Sequence, residues 1–120
     1  MKTLGIGIDI INNRRIRALI NNKSFIDRTF GKSEIKLSKK TSNKTNYFAK
    51  RFAAKESLAK SLGTGFRNNL NFKDIEILNN KIGKPYYSKS KKINNIINKK
   101  FKINKYNLFL SISDEKDYSI

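Results

Sequence analysis

Three side chains stand where chemistry is possible: Asp9, Glu56 and Lys60. Glu56 and Lys60 lie in the run RFAAKESLAKSLGTG, residues 51–65. At 100° per residue they sit about 40° apart on one helical face. That spacing suits an ordinary i,i+4 ion pair, or a pair of working charges in a cleft. Ala49 and Ala53 fall on the same side, one and two turns earlier, and would clear space over the carboxylate. Asp9 interrupts LGIGIDII, residues 4–11, an apolar run. A lone aspartate among isoleucines is costly to bury unless a cation, a metal or hydrogen bonds compensate. Arg51 is about 140° around the helix from Glu56, so both cannot easily serve one pocket within one chain.

Composition limits the alternatives. The 120 residues contain no cysteine and no histidine. Disulfides, thiolate sites, histidine bases and histidine metal ligands are excluded. There are 27 basic and 9 acidic residues, a net charge of +18. Such an excess calls for an anionic partner. Nucleic acid is the default reading, because phosphates attract lysine and arginine without special geometry. Most of the basic residues are scattered lysines beside asparagines, and part of the excess is background composition. The start of the chain lacks the uninterrupted apolar core of a signal peptide, and no stretch approaches a membrane span. The expectation is one small cytoplasmic domain over residues 1–120. Its limited core would gain from oligomerisation.

The elements that must hold these side chains follow from periodicity and punctuation. Residues 4–11 read as a buried strand. Asn12 or Asn13 can cap a helix over 14–20. A second short helix is expected over 24–30, stopped by Gly31, a helical turn over 34–37, and a polar stretch over 39–45. The long helix spans 46–62, with Gly63 as its stop and a loop over 66–71. Two apolar stripes flank it: Phe48, Phe52 and Ala59 on one side, Tyr47, Ala54, Leu58 and Leu62 on the other. A helix with two apolar sides is central rather than peripheral. Strands are expected over 74–79 and 85–88 around a turn at 81–84, then a helix over 92–101. Further strands are expected over 107–113 and from 118. The fold class is α+β, a small antiparallel sheet packed around one long central helix.

These motifs together resemble the holo-acyl-carrier-protein synthase family, the small 4'-phosphopantetheinyl transferases. That family opens with a GIGxDI strand and a basic helix start, here Gly5 to Ile10 and then Arg14, Arg15 and Ile16. Its central motif RFAAKEA, followed by K and GTG, matches Arg51 to Glu56, Lys60 and Gly63-Thr64-Gly65. FKDIEILNNKIGKPYY, residues 72–87, looks like its F-x-D-I-E-I strand and GKP turn. LFLSIS, residues 108–113, looks like its late S-x-S strand. The resemblance runs in order over nearly the whole chain. One departure is clear: the late S-x-S-H reads Ser111-Ile112-Ser113-Asp114, and Asp114 is left outside the site.

The resemblance implies transfer of the phosphopantetheine arm of CoA to a serine of an acidic apo acyl carrier protein, for fatty acid biosynthesis, with release of 3',5'-ADP. It implies that Asp9 and Glu56 bind Mg²⁺. Magnesium takes one or two carboxylates and fills its shell with water and substrate phosphates. Asp9, Glu56 and Lys60 are the implied catalytic residues, with Glu56 the candidate base and Lys60 facing the diphosphate. Arg51, Gly63, Thr64, Gly65, Lys84 and Pro85 are the implied CoA-binding residues, and Arg14 and Arg15 would dock the carrier. A homotrimer with sites at subunit interfaces would let Arg51 reach CoA on a neighbour.

Two other classes compete. A basic nucleic-acid-binding module explains the charge, and its aromatics could stack on bases. It does not explain Asp9 in an apolar run or Glu56 above alanines. A degenerate binder of CoA or carrier, without turnover, is the other.

Overall fold

The computed structural model describes residues 1–67 and 69–120. The loop expected over 66–71 includes Asn68, which lies outside the described residues. Helix α4 (Lys44–Ser61) is the axis of the molecule. Asn43 caps it by accepting a hydrogen bond from the Asn46 amide at 3.1 Å, a device worth about 1 kcal/mol. It ends at Gly63, whose φ of +73° is the left-handed conformation that glycine adopts without steric cost.

Three short helices lead into α4: α1 (Asn13–Arg17), α2 (Lys23–Thr29) and α3 (Lys32–Ser38). Asparagine side chains start the first two. Asn12 accepts from the Arg14 amide and Asn22 from the Phe25 amide, each at 3.0 Å. A single turn of 3-10 helix (Phe72–Asp74) and the hairpin β2 (Ile77–Asn79) with β3 (Pro85–Tyr87) follow α4. The hairpin register pairs Ile77 with Tyr87 and Asn79 with Pro85. Asn80 shapes its loop, accepting from the amides of Ile82 and Lys84. Helix α5 (Lys91–Phe101) is capped by Ser90 and buries Ile93 and Ile97 beneath an exposed face of lysine and asparagine.

Two apolar clusters flank α4. One joins Tyr47, Phe48, Ala49 and Ala53 to Ile11, Ile16, Phe25, Ile26 and Phe30. The other joins Ala54, Leu58 and Leu62 to Leu70, Ile75, Ile77, Tyr87, Ile93 and Ile97. The helix is therefore central, as its two stripes predict. Each fully buried isoleucine contributes about 1.5–3 kcal/mol.

The strands depart most from expectation. The buried strand expected over 4–11 reduces to β1 (Ile11–Asn12), which pairs antiparallel with β4 (Tyr118–Ser119). Ile6, Ile8 and Ile10 are 84%, 71% and 60% exposed. Residues 107–113, expected as a strand, alternate in burial. Leu108, Leu110 and Ile112 pack on the second cluster while Phe109 is 78% exposed. Apart from the reciprocal Ser113–Ile120 pair, the segment forms no ladder among the described residues. The single sheet is thus two separate two-stranded ladders. The strand expected over 74–79 shortens because its first residue belongs to the 3-10 turn. The first helix shortens too, ending at Arg17 rather than residue 20.

Candidate active site

The N-terminal segment lies directly on α4, and glycine makes that possible. A Cβ on Gly5 would overlap the Ser61 carbonyl oxygen, and one on Gly7 would overlap that of Ser57. Alternation along an extended chain puts Gly5, Gly7 and Asp9 on the helix side, with Ile6, Ile8 and Ile10 pointing away. Ser57 fixes the register, its hydroxyl donating to the Gly7 carbonyl at 2.8 Å. This contact was not anticipated. In sequence Ser57 is one more small residue on the helix, and only the approach of residues 4–10 gives it a partner.

Asp9 arrives over the last turns of α4. Lys60 donates to Asp9 Oδ1 at 2.9 Å and to the Ile8 carbonyl at 3.1 Å. Glu56 stands one turn before Lys60. Burial, and then the Asp9 charge, raise the Glu56 carboxyl above its ordinary pKa, while Lys60 and Arg15 pull it back. The hydrogen bond from Lys60 to Asp9 and the aspartate charge hold the ammonium above the ordinary lysine range. Arg15 is exposed on α1, its guanidinium carbon 6.0 Å from the centre of the Phe52 ring. Arg14 is exposed beside it. The structure thus gathers Asp9, Glu56, Lys60 and Arg15 into one region. The alanine floor is different from the expectation. Ala49 and Ala53 are fully covered by the first apolar cluster and do not line an open cleft.

Arg51 lies on another face, as the 140° offset requires. It is buried, donating from Nη1 to the Tyr47 carbonyl at 3.2 Å and from Nη2 to Asn79 Oδ1 at 2.8 Å. Its guanidinium carbon is 3.6 Å from the centre of the Tyr47 ring, a cation–π contact. Asn79 in turn donates to the Gly83 carbonyl at 2.8 Å. Arg51 and the Gly83-Lys84-Pro85 turn are therefore one unit, with Lys84 exposed and Gly83 at φ +86°. Arg51 Nε is buried with no acceptor among the described residues.

Gly63-Thr64-Gly65 form a third locality, at the C-terminal end of α4, about 18 Å along the axis from Arg51. Gly63 and Gly65 both have positive φ. The Gly65 amide donates back to the Ala59 carbonyl at 3.2 Å. Lys100 reaches from α5 to the Leu62 carbonyl and closes the helix end. Asp114 lies towards the other end of α4. It accepts from Asn46 at 2.8 Å and lies 3.7 Å from the Lys50 ammonium. Those partners are away from Asp9 and Glu56.

Lys55, next to Glu56 in the chain, faces the interior and not the site. It is sealed inside, paired with Glu34 at 2.6 Å, and neither side chain is exposed. It also donates to the carbonyls of Phe72, at 3.2 Å, and Ile75. Glu34 accepts from the Gly31 and Ile77 amides at 2.9 and 3.1 Å. Burial pulls the Lys55 ammonium below the ordinary lysine range, and Glu34 opposes that.

Among the described residues no three histidine, cysteine, aspartate or glutamate side chains could hold a metal by themselves. Two carboxylates do lie together, and Asp9 already holds a cation, the Lys60 ammonium. That donor set fits magnesium, which takes few carboxylates and completes its shell elsewhere.

Residues 5–119 match the profile of the 4'-phosphopantetheinyl transferase superfamily. A holo-[acyl-carrier-protein] synthase of Pelagibacter ubique is 56% identical over 120 residues, all of this chain and 94% of that protein. The chain belongs to the holo-[acyl-carrier-protein] synthase family. The crystal structure of the Neisseria meningitidis synthase superposes with a TM-score of 0.88 at 32% identity, over 98% of this chain and 94% of that one. A Bacillus anthracis synthase in complex with CoA (3',5'-ADP) gives 0.78 at 34% identity, over 97% and 90%. The protein is accordingly a phosphopantetheinyl transferase, with the α+β architecture of those synthases.

Proposed function

We propose that the protein transfers the 4'-phosphopantetheine arm of CoA to a serine hydroxyl of an acidic apo acyl carrier protein, with Mg²⁺, releasing 3',5'-ADP, in the service of fatty acid synthesis. The observation that carries this reading is the meeting of Asp9, Glu56 and Lys60 where the N-terminal segment crosses α4. The serine oxygen forms a bond to the β-phosphorus as the bond to 3',5'-ADP breaks. Glu56 takes the hydroxyl proton. Its raised affinity for a proton suits a carboxylate asked to act as a base in a chain without histidine. Lys60 faces the diphosphate and offsets the charge that develops on the leaving group. Asp9 and Glu56 would hold magnesium, which supplies charge neutralisation and orientation of the diphosphate. Arg15, with Arg14 beside it, presents exposed guanidinium groups at the rim, suited to paired hydrogen bonds with carrier carboxylates.

The three localities in one chain are reconciled by assembly into a homotrimer. Support comes from residues 4–10 and 107–112, extended segments without ladder partners among the described residues, which carry Ile6, Ile8, Ile10 and Phe109 into solvent. Open strand edges and exposed apolar rows of this kind mark subunit contacts. A neighbour docked there would bring Arg51 and the turn at Lys84 and Pro85 to CoA held by Asp9 and Glu56. Gly63-Thr64-Gly65 would give the nucleotide a side-chain-free approach.

The test is intact-mass analysis of apo acyl carrier protein incubated with the protein, CoA and Mg²⁺, with an EDTA control. The carrier should gain one phosphopantetheine only when metal is present. A folded protein that left several apo carriers unmodified would refute the reading.

A further inference from the structure

The Lys60–Asp9 contact does more than complete a list of site residues. Both acceptors of the Lys60 ammonium, Asp9 Oδ1 and the Ile8 carbonyl, belong to the N-terminal segment. The two ends of the pair differ in freedom. The Asp9 side chain is 15% exposed, on a segment held to α4 by the Gly5 and Gly7 contacts and by Ser57. The Lys60 side chain is 53% exposed and reaches Asp9 from solvent. A largely covered carboxylate beside a second one needs a cation, and like charges this close destabilise each other. Arg15, on α1, acts on Glu56. Among the described residues, Lys60 is the cation that touches Asp9.

We infer that Lys60 is a placeholder: its ammonium keeps the Asp9 carboxylate aimed at the site, a divalent cation displaces it, and the freed lysine turns to the diphosphate. This rests on the metal reading above. An ammonium and a divalent ion on one carboxylate repel each other, so the two occupy it in turn. The lysine is the partner free to leave, because its flexible stem is half in solvent while Asp9 is pinned. One residue thereby shapes the site before substrate arrives and binds substrate afterwards. Lysine suits that exchange better than arginine, whose planar fork would grip the carboxylate at two points.

The test uses the full-length protein without CoA, with Mn²⁺ as the probe. Binding is read from the free Mn²⁺ signal by electron paramagnetic resonance, for wild type, Lys60→Met and Asp9→Asn. The expected result is binding about fivefold tighter in Lys60→Met than in wild type, the range of a half-exposed ion pair, with binding lost in Asp9→Asn. A second reading needs no variant of the lysine for its outcome. The ¹³Cε resonance of Lys60, assigned by its absence in Lys60→Met, should move when Mg²⁺ is added to wild type and stay fixed in Asp9→Asn. Equal or weaker Mn²⁺ binding by Lys60→Met overturns the inference. So does a Lys60 resonance that stays still while Asp9-dependent sites fill. If wild type and Asp9→Asn bind Mn²⁺ alike, the metal reading itself fails, and the placeholder fails with it.

Discussion

Lys55 and Glu56 are neighbours in the chain and have opposite fates. A single residue step, 100° around the helix, separates a lysine sealed against Glu34 from a glutamate that faces Asp9. The spacing of Glu56 and Lys60, and the oddity of Asp9 in an apolar run, were legible because both are local patterns. The Lys55–Glu34 pair was not. Its partners are 21 residues apart, and Glu34 reads as an ordinary acid in a short helix. Neither was it legible that Arg51 would be spent on Tyr47 and Asn79, since Asn79 comes from a hairpin far along the chain. The buried pair has a testable cost. Lys55→Met leaves the Glu34 carboxylate buried without its cation, and should lower stability by about 3–5 kcal/mol in urea denaturation. Adding Glu34→Gln should restore part of the loss, because contacting residues are not additive. Activity per folded molecule should survive both changes, since Lys55 touches nothing in the site.

At the scale of elements, the helices were easier to anticipate than the strands. Caps and periodicity are written within a helix: Asn43 and Ser90 lie just before α4 and α5, and Gly63 just after α4. A strand needs a partner, and residues 4–10 and 107–112 have none among the described residues. Their apolar residues therefore read as buried while half of them face solvent. In residues 107–112 the other half packs on the second cluster, and in the N-terminal segment Gly5 and Gly7 pack backbone against α4. Gly7→Ala should push the segment off the Ser57 carbonyl and carry Asp9 with it. Transfer should fall by about a hundredfold, the scale of a misplacement near 1 Å. The near-UV circular dichroism of the aromatic core should be unchanged. A smaller effect belongs to Asp74, which accepts from Lys92 at 2.8 Å and from the Asn71 amide at 2.8 Å. Burial alone would raise its carboxyl. The two hydrogen bonds, with the charges of Lys92 and Lys73, outweigh burial and hold it below the ordinary aspartate value. A depressed folded pKa adds stability above the unfolded value, about 3.9, and loses it as pH falls through the folded one. Asp74→Asn should lower Tm by about 1–3 °C at pH 7. The gap to wild type should close as pH drops below that aspartate value.

At the scale of the molecule, a net charge of +18 is intelligible once the proposed substrates are CoA and an acidic carrier, both anions. Reversing the environment of the exposed isoleucines tests the assembly. Ile8→Asp should leave the chain folded, because Ile8 is 71% exposed. The trimer expected by light scattering should give way to monomer. A variant that stayed trimeric would show that residues 4–10 lie outside the contact. Asp9 sits one position from Ile8, so the segment that carries the site's first carboxylate also carries the apolar face a neighbour would cover. Catalytic competence would then be a property of protein concentration. Diluted below the dissociation constant of the assembly, each chain should lose turnover while remaining folded, and reaction progress started from dilute stock should show a lag that shortens as more protein is added.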